Sequence, residues 1–184
     1  QSDSWNTFHK DLTSGNEIFL DSYSAQSNDN NNASWGDNHP ASVGASTFAV
    51  GYAGDMNGSG VEMIAYCFHS VDGYSKVGSY TGNGNADGTF VYTGFRPAFV
   101  MIKAYSASGE WPMYDNKRNP SNVTDHLVRA NATNAETTES DNAEIDMYSN
   151  GFKPRGVSGW QNTSGRGYIF IAFAETPFKY SNAR

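Results

Sequence analysis

The stretch GRGYIFIAFAETPFKYS, residues 165–181, is the most strand-like part of this 184-residue sequence. Its apolar run is rich in aromatic and β-branched residues and is bounded by glycine and by polar residues, which is typical of a buried β-strand. A second stretch, GVEMIAYCFHSVDGYS at residues 60–75, has the same layout, with an Asn/Ser/Gly lead-in, an Ile-Ala pair beside an aromatic residue, and a Tyr-Ser exit. The two stretches predict that the chain contains the same strand twice.

The other apolar stretches are also short and are bounded by Gly, Asn, Asp or Pro. No segment has a clear apolar period of 3.6 residues, and the best helix candidate, 121–132, follows a proline. Hairpins are expected between 97–105 and 110–115, and at the Asn-Gly pair 150–151. The sequence therefore predicts an all-β fold with strands at 5–10, 16–23, 46–52, 61–68, 88–94, 97–105, 110–115, 126–130, 144–148, 151–155 and 168–175.

Further matches recur at an offset of about 106 residues, which is too long for a solenoid or propeller repeat and suits a duplicated sandwich-sized unit. The Trp-x-x-aromatic spacing from Trp5 returns at Trp111, and Asn57 returns as Asn162. We expect an antiparallel β-sandwich of the jelly-roll or lectin-like type, built by internal duplication. Its parts would be a first repeat at 1–81, a linker at 82–93 and a second repeat at 94–184, or one compact sandwich. The duplication places Ile64 and Ile171 in equivalent buried positions.

The second unit begins with GFRPAFVMIK (94–103), ahead of Trp111, and the first unit has nothing comparable ahead of Trp5. We therefore expect the first unit to lack its initial strand. An unpaired strand edge exposes backbone donors and acceptors and is rarely left bare. The stretch WNTFHK (5–10) is expected to border a segment from elsewhere: the strand at 88–94, a neighbouring subunit, or the preceding part of a longer chain.

Composition excludes some functions. Charged residues make up 17% of the chain, against roughly 25% in an average domain. The net charge of -7 and the pI near 4.9 argue against a nucleic-acid partner, which requires a basic surface. No stretch is long and apolar enough for membrane insertion. The single cysteine, Cys67, lies in an apolar run and is predicted to be a buried core residue.

No motif predicts catalysis, a metal site or a cofactor. The loops at 55–60 and 83–88 imitate the first half of a calcium loop, but Tyr66 and Gly94 stand where the closing Glu is needed, so both are predicted to be turns. The histidines have no ligand spacing, and no Gly-x-Ser-x-Gly elbow occurs. The carboxylates show no pairing that would identify a glycosidase. The chain is predicted not to be an enzyme.

The tryptophans fall into two groups. Trp5 and Trp111 occupy matched positions of the two units and are predicted to lie in the core. Trp35 and Trp160 lie in the polar loops ASWGDN and VSGWQN. Because a loop tryptophan can stack on a sugar ring while Asn and Asp donate or accept hydrogen bonds, these two are the candidate ligand-binding residues. They can equally close the end of a sandwich or form a subunit contact.

The order of motifs GFRPAFVMIK, WPMYDNKR, HLVRANATNAE, GFKPR and NTSGRGYIFIAFAE resembles a domain of uncharacterised function in phages, especially marine ones. That domain recurs, often in tandem, in tail-fibre-like and other structural proteins, and the resemblance runs from about residue 5 to residue 178. The segment 71–97 looks like the linker between units in those proteins. The resemblance implies β-sandwich units and brings no catalytic residues.

The function implied by this resemblance is a virion structural module, located at the virion surface or tail, that contributes to assembly and host-surface recognition. Its partners would be other virion proteins, a host surface glycan and further copies of the same chain. By analogy with fibres, those copies would form a trimer. Two alternatives stay open. One is a carbohydrate-binding module of a secreted or cell-surface bacterial protein, which would be extracellular. The other is a polysaccharide-degrading enzyme of the tail-spike type.

Overall fold

The computed structural model describes residues 4–29, 33–35, 43–138 and 142–177. Within these residues the protein is nearly all β and its strands pair antiparallel, so the predicted all-β class is confirmed. One short helix, α1, spans Gly54–Asn57. The strands are β1 (Asn6–Thr7), β2 (Asn16–Phe19), β3 (Ser27–Asn28), β4 (Ser75–Thr81), β5 (Val91–Tyr92), β6 (Pro97–Ala104), β7 (Pro112–Asp115), β8 (His126–Arg129), β9 (Thr137–Thr138), β10 (Ile145–Tyr148), β11 (Gly151–Pro154) and β12 (Gly167–Ala174).

The largest sheet has six strands in the order β4-β12-β6-β7-β8-β9. Its centre is formed by the two longest apolar runs, because β6 and β12 pair along nearly their whole length, with Phe170 opposite Ile102. The predicted strands at 97–105 and 168–175 are confirmed, as is the hairpin from β6 to β7. The helix candidate at 121–132 contains β8 instead.

One face of the six-stranded sheet packs against a three-stranded sheet of order β10-β11-β5. Side chains alternate across a strand, so every second residue of β6 and β12 points into this main core. The β10–β11 hairpin is confirmed, but its turn is not the predicted Asn-Gly pair. Tyr148 lies opposite Gly151, so the two loop residues are Ser149 and Asn150 and Gly151 already belongs to β11. The main core contains Val91, Val100, Ile102, Ala104, Tyr114, Leu127, Ile145, Met147, Phe152, Tyr168, Phe170 and Ala172.

The opposite face of the six-stranded sheet carries the third sheet, of order β1-β2-β3. Ile18 of β2 packs there with Leu12, Trp111 and Ile169 in a second core cluster. The Trp111 indole Nε1 donates a hydrogen bond to the carbonyl of Phe19 at 3.0 Å. The N-terminal sheet is thus held on the larger sheet by both apolar packing and a hydrogen bond.

The segment 61–68 differs most from expectation. The prediction of a central strand is wrong, because these residues form no strand and are exposed. Cys67 is exposed as well, which contradicts its predicted place in the core. Ile64 is 67% exposed, whereas Ile171 is half-buried on β12, so the prediction of equivalent buried positions is also wrong. An apolar run becomes a strand only where neighbouring strands satisfy its backbone groups.

Several other expectations need correction. The segment 46–52 contains no strand and contributes a single bridge to Val43 through Phe48. The segment 88–94 does not border β1, since its strand β5 pairs with β11. Trp5 is 50% exposed while Trp111 is 4% exposed, so only Trp111 lies in the core as predicted. The Tyr-Ser exit at 180–181 lies outside the described residues.

Candidate functional site

The two candidate ligand-binding tryptophans lie in different surroundings. Trp35 is buried, and its ring packs beside Phe8 with 5.8 Å between centroids. Trp160 is half-buried against the main core, and the guanidinium of Arg129 lies 4.6 Å from its ring centroid. A sugar ring stacks on an open aromatic face. Trp35 offers little such face, and Arg129 already occupies one side of Trp160.

The first calcium-like loop, 55–60, is not a simple turn, because its first three residues belong to a helix and only its last two form a turn. Residues 54–57 form the short helix α1. In the other loop, Asn83 accepts a hydrogen bond from the backbone of Asn85 at 3.0 Å, and Asp87 forms ion pairs with Lys153 and Arg155. The pKa of Asp87 is lowered, mainly by its hydrogen bond to Lys153. In the described part of the chain, no group of three or more His, Cys, Asp or Glu side chains is placed to hold a metal ion.

Asn57 and Asn162, matched in the sequence, make the same side-chain hydrogen bond. The Nδ2 of Asn57 donates to the carbonyl of Gly51 at 2.9 Å, and the Nδ2 of Asn162 donates to that of Gly156 at 2.9 Å. The backbone N–H of each Asn also bonds to the carbonyl four residues back, at 2.8 and 2.9 Å respectively. The two turns therefore share one conformation at an offset of 105 residues.

The same correspondence continues to the end of the turn. Gly60 and Gly165 both adopt a positive φ, 74° and 73°, which glycine reaches without steric cost. The following residues, Val61 and Arg166, each donate their N–H to the carbonyl three residues back at 3.1 Å. The segment 61–68 thus leaves its turn as β12 leaves the matching turn.

A second correspondence relates the β1-β2-β3 meander to β7-β8-β9. The carbonyl of Trp5 accepts a hydrogen bond from the N–H of Leu20 at 3.0 Å. The carbonyl of Trp111 accepts one from the N–H of Ala130 at 3.1 Å. In both meanders the tryptophan comes directly before the first strand, and its partner comes directly after the second.

The tryptophan N–H groups match as well. Trp5 donates to Oδ1 of Asp21 at 3.0 Å, and Trp111 donates to Oδ1 of Asn131 at 2.9 Å. Asp and Asn carry an acceptor oxygen at the same place on the side chain, so each can fix the start of the strand in the same way. The two meanders share backbone pairing and this side-chain bond.

The loop after each first strand adds a third match. The N–H of Asp11 donates to Nδ1 of His9 at 3.1 Å, and the N–H of Lys117 donates to Oδ1 of Asp115 at 2.9 Å. Burial lowers the pKa of His9 to about 4, so its ring is neutral at pH 7 and can accept this bond. A neutral imidazole in one loop performs the function of a carboxylate in the other.

The segment 61–68 itself presents an apolar surface. Its large exposed side chains are Val61, Met63, Ile64, Tyr66 and Phe68. The half-exposed Trp5 stacks on Tyr66, with 6.1 Å between ring centroids and 28° between planes. We call Trp5 together with residues 61–68 the apolar surface.

A cleft of about 370 Å³ adjoins the C-terminal end of this segment. The rings of Phe68 and Tyr74 meet Phe173 of β12 on its wall, with centroid distances of 6.0 and 5.9 Å. Cys67 and His69 also line it. The apolar surface therefore runs from Trp5 to the edge of the six-stranded sheet.

Asn162 should contribute far more to stability than its counterpart Asn57. Asn162 is fully buried, accepts from the N–H of Asn83 at 3.0 Å and donates to the carbonyls of Asn85 and Gly156. We expect Asn162→Ala to lower the free energy of unfolding by about 2–4 kcal/mol, because it leaves several buried groups unsatisfied. The exposed Asn57→Ala should cost about 0.5–1 kcal/mol. Urea denaturation of both variants measures the difference, and equal losses would contradict it.

The matched asparagines and the matched tryptophans are visible in the sequence. β4 and Lys103 are not; Lys103 is fully buried, and its amine donates hydrogen bonds to the carbonyls of Ser22 and Gly109. The one local sign of Lys103 is its place in the apolar strand β6, where it stands between the two buried apolar residues Ile102 and Ala104.

Comparisons with known proteins give one match. Neither the curated proteins nor the solved structures contain a significant relative. No helix in the described residues has the length and apolar character needed to cross a membrane. A family model described as a domain of unknown function (DUF7483) matches residues 1–177. The chain belongs to this family.

Proposed function

We propose that this chain is a non-enzymatic structural module of a virion surface appendage, such as a phage tail fibre, and that it contributes to assembly and host-surface recognition. The module is a β-sandwich produced by internal duplication. Its origin in a virion follows from the motif resemblance described above. The observation that supports an assembly role is the exposed apolar surface formed by Trp5 and residues 61–68.

The matched hydrogen bonds support the duplication. Two turns share an offset of 105 residues, and two meanders share the pairing around Trp5 and Trp111. Several independent bonds in the same chain order are difficult to obtain by chance. The sandwich is supported by the main core, which is enclosed between the six-stranded sheet and the β10-β11-β5 sheet.

The role in assembly follows from the surface. Contiguous exposed apolar side chains on a soluble protein mark interaction sites. Interfaces are enriched in aromatic residues and depleted in Lys, Glu and Asp, and this chain has 14% aromatic and only 17% charged residues. We propose that the module functions as a homo-oligomer, a trimer by analogy with fibres, with other virion proteins as neighbours.

Immunoelectron microscopy tests this proposal. Antibodies raised against the purified chain should label purified particles from the producing culture at the tail or surface appendage, while pre-immune serum should not. Label absent from particles but present in the cell or the medium would contradict the virion role.

Light scattering at high concentration should give a multiple of the 20.0 kDa chain mass, and a monomer would contradict the homo-oligomer.

A further inference from the structure

We infer that the apolar surface is the acceptor site for one extended β-strand of the β6 type, with the pattern Pro-x-x-Val-x-Ile-Lys, supplied by a further repeat unit. In this chain that pattern occurs at residues 97–103. The inference deepens the proposed function and rests on its duplication. It names what the surface binds.

The first step is the position of β6 in the second half. There β6 lies between β12 and β7 and pairs antiparallel with both. At the offsets fixed by the matched hydrogen bonds, the counterpart of β12 is the segment 61–68 and the counterpart of β7 is β1. In the described residues, no strand lies between these two counterparts.

The second step is that the two counterparts lie side by side. The Trp5 ring, directly before β1, stacks on Tyr66 of the segment 61–68. Among the strands of the described residues, β1 pairs with β2 alone and stands at the edge of its sheet. The backbone N–H groups of 62–68 donate to no other backbone group in the described part of the chain. Both borders of the site thus offer backbone groups that a strand could pair with.

The third step is the chemistry of the occupant. The side chains of 61–68 are apolar on both faces, as are those of β12, so a matching neighbour must also be apolar on both faces. β6 has this character, because Val100 and Ile102 enter the main core while Met101 packs on the other face. Adding a strand to an open sheet edge is a known mode of peptide recognition in which backbone bonds give affinity and side-chain contacts give specificity.

The correspondence also fixes the register. In the second half, Val100 lies opposite Ala172 of β12 and Tyr114 of β7. The offset of 105 residues makes Cys67 the counterpart of Ala172, and the offset of 106 residues makes Phe8 the counterpart of Tyr114. The valine of the incoming strand should therefore lie between Cys67 and Phe8.

This register can be tested with Cys67, the single cysteine of the chain. Synthetic peptides of residues 94–106 would carry either Val100→Cys or Met101→Cys, each as a mixed disulfide with 5-thio-2-nitrobenzoate. The Cys67 thiolate attacks the peptide sulfur, forms the protein–peptide disulfide and releases the coloured thiolate, whose absorbance gives the rate. Opposite residues of antiparallel strands are close enough for a disulfide.

We expect the Val100→Cys peptide to react at least about tenfold faster than the Met101→Cys peptide, because only the first holds its sulfur beside Cys67 at high effective concentration. A protein variant with Ile64→Asp should retain its circular dichroism spectrum, since Ile64 is exposed, and should lose this preference. A peptide of the same composition in scrambled order serves as the control for nonspecific reaction.

Two outcomes would overturn the inference. Equal rates for both cysteine peptides would show that no strand binds in this register. The second outcome is that the protein self-associates, that Ile64→Asp abolishes this self-association, and that the unmodified peptide does not reduce it. A second copy of this chain would then be the occupant. The particle labelling described above is independent of either outcome. A virion protein could fail the peptide test, and a protein that binds the peptide could be absent from particles.

Discussion

Replacing Ile169 by Asp should unfold the protein. The same replacement at Ile64, which matches Ile169 at the offset of 105 residues set by the two turns, should change the free energy of unfolding by less than about 0.5 kcal/mol. Ile169 is 2% exposed and packs with Ile18 and Trp111 in the second core cluster. An aspartate there would be buried without a partner, at a cost of several kcal/mol, roughly the total stability of a small domain. At Ile64 the carboxylate would remain in water.

Circular dichroism and urea denaturation of the two variants provide the measurement. Ile169→Val is the matched control, because it removes one methylene from the same site and should cost about 0.5–1.5 kcal/mol. Comparable losses from Ile64→Asp and Ile169→Asp in a monomeric sample would mean that the segment 61–68 is buried in solution. That result would contradict the exposed apolar surface.

Much of the fold follows from local patterns. β6, β7 and β12 are apolar runs between turn residues, and the β6–β7 hairpin joins strands that are neighbours in the chain. The sequence does not predict β4, because Ser75, Gly78 and Ser79 interrupt its apolar pattern. Gly78 is suited to its place, since an added Cβ would approach the Phe170 ring to 3.0 Å. The need for glycine at position 78 comes from β12, which lies about ninety residues away in the chain. A local sequence pattern therefore cannot reveal it.

In the segment 61–68 the local pattern predicts a strand that the structure does not form. Its residues favour a strand as strongly as those of β12, yet β12 has β4 and β6 beside it. Strand formation depends on neighbours that satisfy backbone groups, and propensity does not specify whether they are present. The candidate site was only partly predictable for the same reason. The loop positions of Trp35 and Trp160 follow from the sequence, but the burial of Trp35 and the contact of Trp160 with Arg129 depend on tertiary packing.

Stability should rise with pH between about 7.5 and 9.5 because of Lys103, by about 2 kcal/mol. This side chain is 0% exposed, and burial lowers its pKa from 10.5 to about 8, an effect that Glu110 partly offsets. Between these two pKa values the unfolded chain binds more protons than the folded protein does. The free energy of unfolding therefore increases as pH rises through this window, and below pH 8 the cost of burying the charge is fully present.

The control is Lys103→Met, which keeps an unbranched side chain beside Trp111 and removes the titrating amine. The rise should appear in the difference between the free energies of unfolding of the parent protein and of Lys103→Met, because groups that titrate equally in both proteins cancel in that difference. The range ends below pH 10, since burial raises the pKa of Tyr80 and Tyr168 above their ordinary value and ionisation of tyrosines in the unfolded chain would then oppose the trend. Urea denaturation at pH 7.5 and 9.5 measures both proteins. Parallel behaviour of the two would show that Lys103 titrates as it does in water, and hence that the contact between the N-terminal sheet and β6 is open to solvent at this point.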